Sequence, residues 1–155
     1  MITKYFSRLS AVSLSLTFIA TMAQAQSPVL DAEQTLFLQL INQFRAQNGA
    51  DPLQVSPRVQ AAAQWMSEDM AAKNYFSHTD SLGRDPFQRM TALGYGYSTW
   101  RGENIAAGNA TGAATFDQWK NSSGHNANML NANYKVIGIG KAYNAAATYR
   151  NYWTT

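Results

Sequence analysis

The 155-residue chain contains no cysteine. That excludes disulfide bridges as a source of stability, and with them a thiol nucleophile. It also excludes the usual bacterial lipid anchor, which needs a cysteine behind the leader. Charge of one sign is scarce too. Twelve Lys and Arg stand against nine Asp and Glu, a formal +3, but Lys4 and Arg8 fall in the first 25 residues, which hold no acid. The remainder carries ten basic against nine acidic residues, or +1. The pI of 9.3 therefore makes no case for nucleic acid or a membrane surface, and no basic run faces an aromatic patch. Neither a Gly-x-Ser-x-Gly elbow nor a His-Glu-x-x-His motif occurs.

What is present begins with a leader. Lys4 and Arg8 flank the start of a mostly apolar stretch, Leu9 to Met22, and Ala23-Gln24-Ala25 forms an Ala-x-Ala cleavage site. The stretch is too short, and too rich in Ser and Thr, to span a bilayer. Cleavage is expected before Gln26. That leaves 26–155 as one secreted domain, extracellular or periplasmic, with no transmembrane segment. Four Trp, eight Tyr, seven Phe and six Met, some of them in the leader, supply the large side chains of a core built without disulfides.

Helix signals dominate the first half. Asp31 with Gln34 makes a capping box ahead of Leu36, Phe37, Leu40, Ile41 and Phe44, and Gly49 stops the run. Pro52 and Leu53 read as connection. Ser56-Pro57 opens a second helix that buries Val59, Ala62, Ala63, Met66 and Met70, its alanines allowing a neighbour close approach. Glu68 and Asp69 on this helix are expected to face solvent. Tyr75 to Arg84 reads as loop, and Asp85-Pro86 opens a short third helix closed by Gly94. Glu103 to Ala107 suits a short strand, and Thr111 caps a fourth helix carrying Phe116 and Trp119. After the Ser122-Ser123-Gly124 break, Asn126 to Leu130 reads as a turn or one helical turn. Tyr134 to Tyr143 reads as one strand, linked through Asn144 to Ala147 to a last strand within Thr148–Thr155. Helices first and strands last predict an α+β domain.

The chemistry concentrates in three residues. His78 and His125 are the only histidines, and with Glu103 they sit in short polar or glycine-bearing segments read as turns. Brought together, two imidazoles and a carboxylate form three ligands of a tetrahedral zinc with one position left for water. Alternatively, Glu103 acts as a base on water held by a metal on the two histidines alone. The plainer reading has each residue hydrogen-bonding backbone groups to hold its loop. Asp80 is placed either to orient the His78 ring or to form a turn. Trp65, Trp100, Trp119 and Trp153 read as core, with Trp100, beside glycines, the best candidate for an exposed platform.

Taken in order, Leu40-Ile41-Asn42-Gln43-Phe44-Arg45, Ser77-His78-Thr79-Asp80, Gly102-Glu103-Asn104-Ile105, Trp119 leading to Gly124-His125, and Val136-Ile137-Gly138-Ile139-Gly140 resemble the CAP superfamily. This is the family of cysteine-rich secretory, antigen 5 and pathogenesis-related 1 proteins, also called the SCP domain, and the likeness is to its cysteine-free bacterial branch. The resemblance implies a single-domain α-β-α sandwich whose cleft holds two histidines and two glutamates. His78, His125 and Glu103 match three of these, and Ser122 stands where the second glutamate is expected. It also implies a chain that runs a few residues past Thr155. The resulting expectation is a secreted binding or interaction module. His78 and His125 would take zinc or another divalent cation, and the further ligand would be a small molecule, a lipid or a cell-envelope component. A metal-dependent hydrolase of peptide or envelope substrates, with His78, Glu103 and His125 as catalytic residues, is the alternative.

Overall fold

A computed structural model describes residues 28–155; the expected leader, 1–25, lies outside the described residues. Helix α1 (Ala32–Gln47) starts with the expected capping box. The Asp31 carboxylate accepts from the Gln34 N–H, and the Gln34 side chain accepts from the Asp31 N–H, both at 2.8 Å. Phe37 and Ile41 are buried on its inner face, whereas Leu36 is exposed, so the apolar stripe is narrower than its sequence suggests. Strand β1 (Gln54–Val55) follows the Pro52-Leu53 connection, at residues given no strand in the sequence reading. Helix α2 (Pro57–Lys73) begins at Pro57 as expected, although Ser56 makes no side-chain cap bond. Helix α3 (Pro86–Ala92) and strand β2 (Ile105–Ala107) follow, then helices α4 (Gly112–Lys120) and α5 (Ser123–Leu130). The segment read as a single turn is therefore a helix that already includes Ser123 and Gly124.

The chain closes with β3 (Val136–Ile137), β4 (Gly140–Tyr143) and β5 (Asn151–Thr154). The expected strand over 134–143 is thus two. β3 pairs in parallel with β1, and β4 joins the antiparallel sheet β2-β5-β4. The break has a chemical cause: glutamine side chains replace the strand ladder at Ile139. Its N–H donates to Gln60 Oε1 at 2.7 Å, and its carbonyl accepts from Gln60 Nε2 at 2.8 Å and Gln34 Nε2 at 2.7 Å. Gly138 and Gly140 lie flat on α2, where a Cβ at either position would run into the backbone carbonyl of Val59 or Ala63. This is the close approach that the α2 alanines allow. The final link is longer than expected and spans Asn144 to Arg150.

Two apolar layers cover the two faces of the sheet. Ile105 and Tyr152 pack with Met66, Met70 and Ala71 of α2. Ala106 and Trp153 point the opposite way, onto Phe37 and Ile41 of α1, Phe116 and Trp119 of α4, and Met129 of α5. Ala106 and Trp153 are paired neighbours, as are Ala107 and Tyr152, so the two-residue period of the strands sorts side chains between the layers. The architecture is the expected α-β-α sandwich of an α+β domain. Arg45 of α1 is fully buried and ties α5 to this frame. Its guanidinium donates to the carbonyls of Asp51 (2.7 Å), Met129 (2.6 Å), Asn131 (3.1 Å) and Tyr134 (3.2 Å). Among the described residues, no helix is long and apolar enough to cross a membrane.

Candidate functional site

His78 sits on the loop between α2 and α3, which two buried aspartates shape. Asp69, expected in solvent, is buried; it accepts from the Ser81 N–H at 2.8 Å, the Ser81 hydroxyl at 2.6 Å, and the Tyr75 hydroxyl. Burial opposes its ionisation, yet the bonds from Ser81 and Tyr75 hold its carboxyl below the usual value. Its neighbour Glu68 is exposed, as expected. Asp80 accepts from the N–H groups of Leu82 (3.0 Å) and Arg84 (2.9 Å) and from Arg84 Nε (2.8 Å). Of the two roles open to Asp80, it takes the turn, and the His78 ring is oriented by another group.

That group is Glu103, in the turn that leads into β2. Its side chain is only 4% exposed. Oε1 lies 2.8 Å from His78 Nδ1, and Oε2 accepts from Arg89 Nη2 of α3. Arg89 is itself buried. Its Nη1 donates to the His78 carbonyl at 3.3 Å and lies 3.9 Å from Asp80 Oδ2. Both Glu103 oxygens are thus committed, one to a histidine and one to a buried cation. Sequence reasoning missed Arg89. Its signal was a charge beside Met90, one turn before Leu93, on a short helix, where a buried guanidinium needs a partner.

His125, expected in a turn, lies in the first turn of α5. The Ser122 hydroxyl makes no cap bond to the helix, because it lies 2.8 Å from His125 Nδ1. Ser122 thus holds a histidine where the family pattern expected a second glutamate. The imidazole stacks on Trp119 with centroids 6.0 Å apart at 25°. Burial pushes its pKa below the ordinary imidazole value, and the charge of a protonated His78 pushes the same way. Asparagines join the Glu103 turn to α5: Asn104 Nδ2 donates to the His125 carbonyl at 3.2 Å, and Asn128 Nδ2 donates to Asn104 Oδ1 at 2.9 Å and to the Glu103 carbonyl at 3.2 Å.

The donor set suits a cation at two positions. Each imidazole has Nδ1 engaged by an oxygen, which leaves Nε2 as the nitrogen for a ligand, the usual arrangement of a metal-binding histidine and its outer partner. Glu103 is such a partner for His78. Among the described residues, no three His, Cys, Asp or Glu side chains are gathered as a metal-holding group. Trp119 and Trp153 are core, Trp65 is half-buried under the Arg84 guanidinium at 4.6 Å, and Trp100 is 69% exposed.

The profile of the cysteine-rich secretory protein family, CAP, matches residues 38–155. YkwD of Bacillus subtilis is 38% identical over 120 residues, 77% of this chain and 46% of that protein. The membrane protein YlbC of the same organism is 34% identical over 103 residues, 66% of this chain and 30% of that protein. The chain thus spans less than half the length of either relative. Among solved structures, an extracellular protein of Bacillus anthracis containing an SCP domain superposes with a TM-score of 0.65 at 29% identity, over 77% of this chain and 38% of that one. An outer surface protein of Borrelia burgdorferi shares the fold, with a TM-score of 0.70 at 17% identity over 83% of this chain and 95% of that one.

Proposed function

The chain belongs to the cysteine-rich secretory protein (CAP) family, and from that premise we propose that it is an exported binding module whose His78–His125 cleft takes a divalent cation such as zinc. The observation that carries this reading is the matched pair of imidazoles, each with Nδ1 held by an oxygen and each leaving Nε2 for a ligand. His78 and His125 would hold the ion, while Glu103 and Ser122 orient the rings. Bound zinc would supply a Lewis acid within the cleft. Export is supported by the leader pattern in 1–25 and by the extracellular Bacillus anthracis relative.

Binding is favoured over hydrolysis by Glu103. A general base needs a carboxylate oxygen within reach of a water, and both of its oxygens are engaged by Arg89 and His78. Calorimetric titration of zinc into residues 26–155 and into His78→Ala and His125→Ala tests the proposal. Each single variant is expected to lose at least about tenfold in affinity. Zinc affinity equal to wild type in both variants overturns the site.

A further inference from the structure

Two recesses meet at Trp100; neither is lined by a histidine, but the inner one reaches Glu103 and Asn104, which bond His78 and the His125 carbonyl. The inner one, about 60 Å³, is floored by the buried apolar side chains of Ile41, Leu53, Met129 and Ile137. The outer one is a shallow hollow of about 380 Å³, lined by Phe87, Ser98, Thr99, Trp100 and Arg101. Trp100 (69% exposed), Tyr97 (51%) and Phe87 (46%) leave an unusual area of aromatic surface in solvent. The whole segment 86–102 contains no Asp or Glu. Arg101 has no carboxylate partner among the described residues; it lies 5.3 Å from the Phe87 ring and makes only long contacts, 3.4 Å to the Phe87 carbonyl and 3.3 Å to the Thr91 hydroxyl.

We propose that Trp100, Arg101 and the two recesses form a subsite for an N-acylated, acid-bearing amino-sugar polymer. Each part of that ligand answers a feature of the surface. An exposed indole beside hydroxyls suits a pyranose, which has an apolar face of C–H groups and a polar edge. Ser98 and Thr99 supply the hydroxyls. The inner recess has less than half the volume of the roughly 150 Å³ cavity that admits benzene, so it rejects a sterol ring and accepts a methyl-sized group. An N-acetyl methyl meets that limit. The unpaired Arg101 guanidinium at the rim favours a carboxylate on the sugar. An open hollow rather than a closed pocket allows the strand to continue on either side.

This inference names the external ligand of the proposed binding module but makes no use of the cation. Soluble peptide-free glycan strands containing muramic acid, N-acetylglucosamine tetramer, cellotetraose and anionic phosphatidylglycerol vesicles would be titrated against wild type, Trp100→Ala and Arg101→Gln, each with and without added zinc. Muramic strands are expected to bind more tightly than the tetramer, with cellotetraose binding least. Trp100→Ala should lose at least about tenfold, and Arg101→Gln should lose the preference for the acidic strand. Wild type should bind strands equally well with and without zinc, which separates failure of this subsite from failure of the cation site. Strand binding unchanged in a folded Trp100→Ala overturns the proposal. So does affinity for cellotetraose equal to that for the strands, or Trp100-dependent binding to vesicles alone.

Discussion

Replacing Arg89 with Met removes the cation that Glu103 faces and keeps most of the side-chain volume. Arg89 is 1% exposed and the Glu103 side chain 4%, so the carboxylate left behind has little water to turn to. His78 is half-exposed and bonds only Oε1, while Asp80 keeps Arg84. The loss therefore falls mainly on Glu103. Breaking one side of a buried ion pair typically costs about 3–5 kcal/mol. With a urea dependence of about 2 kcal/mol per M, the midpoint should fall by about 2 M. The double variant Arg89→Met/Glu103→Gln, which removes both charges, should be more stable than the sum of the singles by about 1–3 kcal/mol. Arg89→Lys should recover only part of the loss, since an ammonium lacks the fork that reaches both Glu103 and the His78 carbonyl. A midpoint shift below about 0.5 M for Arg89→Met would refute the argument that this cation holds the site together.

The Tyr152 hydroxyl is buried with no hydrogen-bond partner among the described residues, so Tyr152→Phe should be neutral or stabilising by about 1 kcal/mol in the same urea assay. A destabilisation of that size would reveal a bond to the hydroxyl. Gly138→Ala drives a methyl into the Val59 carbonyl and should cost at least about 1–3 kcal/mol; wild-type stability would contradict the close contact with α2. His125 titrates lower in the fold than the ordinary value of 6.5. The unfolded chain therefore binds the extra proton first, so stability is full above pH 6.5 and falls as pH drops through that value towards the folded pKa. The His125→Asn variant should lose this part of the slope between pH 7.5 and 5, and an unchanged slope would contradict the assignment.

Much of the frame was legible in single residues. Asp31 with Gln34, Asp85-Pro86 and Thr111 all mark true helix starts, because capping satisfies backbone N–H groups through side chains only a few positions away. The elements that misled depend on distant partners. Gln34 and Gln60 lie far from Ile139 in sequence, yet they split the expected strand. The two-residue β1 exists only because β3 runs beside it. His78, Glu103 and His125 stood out as candidates, and His78 does meet Glu103, but the buried groups that hold them did not stand out. Arg89 and the buried Asp69 act through contacts that no local periodicity records.

X-ray absorption at the zinc edge on the zinc-loaded protein would test the shared cleft most directly. Two imidazole nitrogens at about 2.0–2.1 Å, with oxygen completing the shell, is the expected result. One of the two nitrogens should disappear in His78→Ala and one in His125→Ala. A zinc shell made wholly of oxygen, or one unaltered by either substitution, would contradict it.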